Sequence, residues 1–168
     1  LASRDPLEPG AAFLRPARDN DAQDLFGLVA LCFADYPGCY VDPHEDLPDL
    51  RAPARSYAGE GCGFWVVEDG QGRVGASIAL DYVQPGIGEL HRLYVRPDLR
   101  QRGLAARLVA HAEEHARRHG ARAVLAWSDT RFASAHRLYR RLGYSQGADT
   151  RHLRDISHSR EYRFEKSL

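Results

Sequence analysis

Apolar residues along this chain fall into two rhythms. After "RDND", whose side chains suit an N-cap, Ala22, Leu25, Phe26, Val29, Ala30 and Phe33 recur at steps of three and four, which predicts one face of a helix. The same period returns at Leu104, Ala105, Leu108, Val109, Ala112 and Ala116, stopped by Gly120. It returns once more at Phe132, Ala135, Leu138, Tyr139 and Leu142, in a helix of roughly 131–142 ended by Gly143. Between the first two helices, "GFWVVE", "RVGASIALDY" and "ELHRLYV", joined by the turns "DGQG" and "PGIG", predict three strands in an antiparallel meander. "AFLRPA" reads as an opening strand, "RAVLAW" as a buried one, and "YSQGA" and "REYRFEK" as closing strands. The order β-α, loop, βββ-α-β-α-β-β describes an α/β (α+β) fold: one mixed, mostly antiparallel central sheet flanked by helices.

Two stretches lack either rhythm. Residues 1–10, "LASRDPLEPG", are polar and carry two prolines, so they read as a flexible lead-in to a domain over 11–168. From Tyr36 to Arg55, prolines 37, 43, 48 and 53 leave a loop with at most short helical pieces.

Bulk composition narrows the function classes. A chain of 168 residues fits one ordinary domain. Its 23 basic side chains are balanced by 23 acidic ones, so no global attraction to nucleic acid or to an anionic membrane is expected. Lys166 is the one lysine, an arginine bias most simply explained by a GC-rich genome. Cys32, Cys39 and Cys62 are odd in number and lack metal-ligand spacing, which favours a reducing cytoplasm. No apolar run reaches the roughly 18 residues of a membrane span, and the start has no signal-peptide pattern. The absence of methionine, at position 1 included, is read as a start trimmed or processed.

Chemistry concentrates in "RPDLRQRGLAARLV", residues 96–109. A strand, a basic turn, a glycine and then a helix is the construction that binds an anion, because the first helical turn leaves N–H groups unbonded at the positive end of the dipole. Gly103 lets backbone approach a ligand, Ala105 keeps the next turn open, and Arg100 and Arg102 offer charge-assisted contacts. The kinase-type phosphate loop and the dinucleotide fingerprint are both absent. On its residues alone, the stretch reads equally well as a solvated basic helix start.

"ELHRLYVRPDLRQRGLAARLV" resembles the signature segment of the GNAT superfamily of acyl-CoA-dependent N-acetyltransferases. The family's Arg/Gln-x-x-Gly-x-Gly/Ala loop stands here as Arg100, Gln101, Arg102, Gly103, Leu104 and Ala105. "ASAHRLYRRLGY" is similar to the family's second signature helix, with Ala135, Leu138, Tyr139, Gly143 and Tyr144 in place. The two lie about 30 residues apart in the expected order, and the resemblance covers roughly residues 12–165. One departure is Phe132, which stands where the family often carries asparagine, so one polar contact to the cofactor arm is not expected.

The resemblance implies the GNAT fold, transfer of an acetyl group from acetyl-CoA to a primary amine of a small molecule or peptide by direct attack in a ternary complex, and no metal. It implies that residues 100–105 hold the coenzyme A pyrophosphate, that Leu93, Tyr94 and Val95 pair by backbone with the pantetheine arm, that Ala135 lies against the cofactor, and that Tyr139 protonates the leaving thiolate. With a thiol near pKa 8.5 and a phenol near 10, that transfer is uphill by roughly 2 kcal/mol in solution. Glu89 and His91 lie two apart on a strand and share a face. Both match positions where family members carry a base. Glu89 is the first candidate, provided burial raises its pKa, and His91 the second.

The acceptor is expected to meet Glu89, the closing strands and the proline-broken segment, where Tyr36, Tyr40, Asp35, Asp42, Glu45, Asp46 and Asp49 suit a cationic amine. A homodimer is left open. The alternative reading is a non-catalytic acyl-CoA-binding or sensing module of the same fold. A nucleic-acid-binding domain is disfavoured by zero net charge and by the lack of aromatics among the arginines. "HAEEH", residues 111–115, matches the His-x-x-Glu-His zinc-peptidase pattern, but a solvated helix face explains it more cheaply.

Overall fold

Alternation along "GFWVVE" sends Phe64 and Val66 into one apolar layer and Trp65 and Val67 into another, so both faces of the sheet must be covered. The computed structural model describes residues 5–6, 13–42 and 44–168. Among these residues eight strands form one sheet: β1 (Asp5–Pro6), β2 (Phe13–Pro16), β3 (Gly63–Glu68), β4 (Val74–Gln84), β5 (Ile87–Val95), β6 (Ala123–Asp129), β7 (Ser145–His152) and β8 (Arg160–Ser167). Their spatial order is β1-β2-β3-β4-β5-β6-β8-β7. Every pairing is antiparallel except β5 with β6. Within the segment read as a lead-in, Asp5–Pro6 pairs with Phe13 and Leu14; the rest of that segment lies outside the described residues.

The helices are α1 (Ala22–Phe33), α2 (Pro53–Ser56), α3 (Leu104–Arg118) and α4 (Ala133–Arg141). Helix α1 buries Leu25, Leu28, Val29 and Cys32 against Phe64, Val66, Val74 and Ala79 on one face of the sheet. Its entry is pinned by Arg15 of β2, which donates to Asp21 at 2.8 and 2.9 Å. Helix α3 lays Leu108, Val109, Ala112 and Ala116 on the other face, against Ile78, Leu80, Val124 and Phe164. The expected meander, the three long helices and the closing strands are all present, and among its described residues the proline-rich segment holds a 3-10 turn at Pro48–Arg51 and the single turn of α2. Among the described residues no helix is long and apolar enough to cross a membrane.

The zinc-peptidase pattern does not assemble. His111 and His115 set their rings edge-on to Trp65, with centroids 4.9 and 4.8 Å away. Glu114, the glutamate of the pattern, points to solvent, 3.7 and 3.8 Å from Arg117 and Arg118, while its neighbour Glu113 faces the core, accepting from Lys166 Nζ at 2.8 and 3.0 Å and from the Tyr144 hydroxyl at 2.9 Å. His111, Glu113 and His115 thus serve packing on both sides of α3.

Candidate active site

Strands β5 and β6 run side by side only from Ile87 to Leu90, opposite Ala123 to Ala126. Beyond Leu90 the ladder stops, while β6 stays paired to β8 as far as Asp129. The cause is written into β5. Ser77 sits opposite Tyr94 and Ala79 opposite His91, so Arg92 and Leu93 together face Ile78 in a bulge. Arg92 takes φ of 54°, and its carbonyl accepts from Ser77 Oγ at 2.7 Å. The bulge bends β5 away from β6 and opens a cleft of about 240 Å³, lined by Glu89 to Tyr94 on one wall and by Trp127, Asp129, Phe132, Ala135 and Tyr139 on the other.

The outer half of β5 therefore offers backbone without a strand opposite it on that side, among the described residues. Arg96 N–H donates to Gly75 on β4 at 2.8 Å, so alternation turns the Val95 amide groups toward the cleft side. The Val95 carbonyl is already taken, by Arg100 Nε at 2.9 Å and by the Cys32 thiol at 3.5 Å. Its N–H is the group still open to a ligand strand.

Beyond β5 the chain turns through Pro97–Leu99 into α3. Gly103 is the N-cap of α3 with φ of 75°, a left-handed conformation that costs glycine little. A Cβ on Gly103 would meet no protein atom within 4 Å. The glycine is thus required by its backbone angle, and the space above it lies open over the free first-turn N–H groups. A glycine cap has no side chain to occupy them. This cradle and the unpartnered edge of β5 fit a pyrophosphate followed by a pantetheine arm.

Two arginines of the turn are engaged within the protein. Arg96 is bound to Asp69 at 2.9 Å and to Asp98 at 2.7 Å. Arg100 donates to Asp35 at the end of α1 at 2.5 Å, and its Nη2 lies 3.6 Å from the Cys32 sulfur. Both guanidiniums hold the turn in shape, while Gln101, with φ of 60°, Arg102 and Gly103 stay exposed.

Glu89 and His91 share one face, as their spacing requires, with Oε1 and Nε2 3.7 Å apart. Glu89 is 6% exposed, and burial pushes its carboxyl above the ordinary range, against the pull of His91 and Arg151. His91 Nε2 lies 3.0 Å from Asp81 Oδ1, and because a carboxylate accepts, that nitrogen carries its proton. That nitrogen is thereby committed as a donor to Asp81. Asp81, Glu89 and His91 each bring one ligand atom to within 4.8 Å of the others, the arrangement among the described residues that suits a divalent cation.

Tyr139 faces them from α4. It is 5% exposed, stacked on Phe164 with centroids 5.3 Å apart and tilted against Tyr144 at 5.2 Å. Burial, then the neighbouring Tyr94 and Glu161, raise its phenol well above the ordinary value, so it stays protonated. The gap to a thiol is therefore wider than in solution. Phe132 lines the cleft beside it and packs on Tyr36 at 4.6 Å and Phe33 at 5.5 Å, an aromatic wall in place of an amide.

A profile of the acetyltransferase (GNAT) family matches residues 25–144. The chain belongs to that family. Relatives in the family include an uncharacterized N-acetyltransferase of Methanocaldococcus jannaschii, 35% identical over 60 residues, which amount to 36% of this chain and 26% of that protein. An acetyltransferase from Streptococcus agalactiae is similar over 94% of this chain and 98% of its own, with TM-score 0.79 and 19% identity. A GNAT acetyltransferase from Staphylococcus aureus gives TM-score 0.77 at 16% identity, covering 91% of this chain and 98% of its own. The yncA protein of Salmonella typhimurium, solved with its cofactor acetyl-CoA, gives TM-score 0.71 at 18% identity, covering 95% of each chain. At these identities the likeness is one of fold, and the GNAT architecture expected from the motifs is the one observed.

Within this GNAT domain the acceptor end differs from the expectation. Tyr36 packs behind Phe132, and Tyr40 is 62% exposed, tied to Ser157 through its backbone; neither lines the cleft. Of the loop acids, Asp46 reaches the lining, whereas Asp35 holds Arg100 and Asp49 holds Arg92. Trp127, Arg151, Leu153 and Glu161 complete the wall and were not singled out in the sequence. Arg151 and Glu161 come from β7 and β8, the closing strands expected to contribute there; Trp127 and Leu153 had no local signal.

Proposed function

We propose that this protein transfers an acetyl group from acetyl-CoA to the primary amine of a small molecule or peptide, by direct attack in a ternary complex. The observation that carries this reading is the placement of Glu89 and Tyr139 on opposite walls of one cleft, at the point where β5 leaves β6 and beside the open cap of α3. The solved yncA protein, with its cofactor acetyl-CoA, supports the choice of donor.

Acetyl-CoA, when bound, supplies an acyl carbon held as a thioester. On this chain, the first-turn N–H groups after Gly103 would hold the pyrophosphate, the Val95 N–H and neighbouring backbone would hold the arm, and Ala135 would leave room beside it. Glu89, deprotonated in a half-dry cleft, takes one proton from the acceptor ammonium. As the new N–C bond forms and the C–S bond breaks, Tyr139 gives a proton to the sulfur and is reprotonated by the second proton that the nitrogen loses. One proton thus leaves through Glu89 and one ends on the thiol. Since the Tyr139 phenol is raised, its contribution is a hydrogen bond that stabilises the sulfur until that exchange is complete.

Thermal-shift titration with acetyl-CoA, followed by thiol release over a panel of amines, tests the reading. Stabilisation with turnover is expected. Binding without turnover on any amine would assign a sensing module instead, and no stabilisation by acetyl-CoA would remove both.

A further inference from the structure

Among the described residues, the basic side chains that line the acceptor end of the cleft are each paired with a carboxylate. Arg92 donates Nη2 and Nε to the two oxygens of Asp49 at 2.7 and 2.9 Å. Arg151 donates Nε to Glu161 at 2.5 Å, lies 4.5 Å over the Trp127 ring, and holds Nη2 3.9 Å from Glu89. Arg131, behind the wall residue Asp129, donates to it at 2.8 and 2.6 Å. His91 donates to Asp81 at 3.0 Å. Carboxylates remain in excess: Asp46 lines the same space, and the Glu89 carboxylate has no hydrogen-bond donor within 3.5 Å among the described residues, its nearest cations standing at 3.7 and 3.9 Å.

An α-amino acid carries its carboxylate one carbon from its amine. Placing that amine at Glu89 would bring its carboxylate into a lining that also carries Glu161 and Asp46, where Arg92 is held by both oxygens of Asp49 and Arg151 is held by Glu161 through Nε. Like charges brought together in a partly dry site are a repulsive selectivity element. Leu153, and the part of Trp127 that Arg151 leaves uncovered, favour a neutral substituent at the same place.

We propose that the acceptor is an amine whose adjacent carbon bears no carboxylate or other anion, and that the cleft rejects free amino acids. The proposal rests on the acetyltransferase reading above. Such an amine can come from a simple monoamine or from the head of a peptide, where the carboxyl is an amide.

Matched acceptors that differ only in that group decide it: tyramine against tyrosine, phenethylamine against phenylalanine and cadaverine against lysine, with tyrosinamide and a tyrosine-headed dipeptide as the peptide arm. The carboxylate-free member of each pair is expected to show a kcat/KM at least about tenfold higher. Turnover of the simple amines alone, or of the amides too, identifies the source. Glu161→Gln releases Arg151 from its partner, so it should narrow the ratio by improving amino-acid use. Equal or better use of the free amino acids by the unaltered protein, or an unchanged ratio in Glu161→Gln, would overturn the proposal. Stabilisation by acetyl-CoA with no turnover of any acceptor would instead fail the acetyltransferase reading, and the proposal with it.

Discussion

Glu89 Oε1 and His91 Nε2 lie 3.7 Å apart on one face of β5, and the His91 proton points at Asp81 rather than at Glu89. The pair is thus a buried carboxylate beside a ring whose charge influences it. Burial raises the Glu89 carboxyl while His91 and Arg151 draw it down. A base acts only when deprotonated, so the rate should fall as pH drops through that raised value. His91→Gln removes one lowering charge, and the acidic limb of kcat/KM should move to higher pH. A limb that stays in place, or moves lower, would show that another group titrates.

The same carboxylate has a stability signature. A carboxyl whose folded pKa exceeds its unfolded one binds its proton more tightly in the folded state. Its ionised form therefore destabilises the fold at neutral pH, and the penalty fades as pH falls past the unfolded value of about 4.3. Glu89→Gln should raise Tm at neutral pH, with the gain vanishing at about pH 4, while turnover drops by about 10²-fold or more. Melting curves at several pH values check the sign. A lower Tm at neutral pH would mean that Glu89 is held by favourable bonds rather than kept for chemistry.

Asp35 and Arg100 make a second testable pair, 2.5 Å apart and both more than a third exposed on their side chains. An exposed ion pair is worth about 0.2–1 kcal/mol, so Asp35→Asn should leave Tm nearly unchanged. It should, however, free a guanidinium next to the Gly103 cradle. Acetyl-CoA affinity is then expected to rise about two- to fivefold at low salt, with the gain shrinking as ionic strength increases. Calorimetry at two salt concentrations reads this directly. Weaker binding in the variant would mean that Asp35 aims Arg100 at the phosphates.

That pair also marks where sequence reading ends. Period alone located the meander and the three long helices, because strand and helix rhythms are local, and Gly103 stood out from its place between a basic turn and a helix. Glu89 and His91 could be placed together because i and i+2 share a strand face. The Arg100 partner could not, since Asp35 lies 65 residues away at the end of another helix. Trp127, Arg151 and Glu161 come from three strands whose order in the sheet, β6-β8-β7, is not their order in the chain. Tyr36 looked like a recognition residue but is recruited by Phe132, one aromatic packing behind another. Composition of a loop states what it contains and not which side chains turn inward.

Tyr139→Phe separates packing from chemistry at the opposite wall. The ring would keep its contacts with Phe164 and Tyr144, both near 5 Å between centroids, so the fold and acetyl-CoA binding should survive. Only the hydroxyl is lost, and with it the hydrogen bond offered to the departing sulfur. Turnover should fall by about 10²-fold, the usual scale for one positioned proton donor, with the thermal shift from acetyl-CoA retained. Acceptors and acyl donors respond differently if the role is right. A thioester whose thiol is more acidic needs less help in leaving, so replacing acetyl-CoA by an activated aryl thioester should recover part of the lost rate in Tyr139→Phe. Equal losses with both donors would place the hydroxyl in binding or orientation, and an unchanged rate would remove Tyr139 from the mechanism altogether.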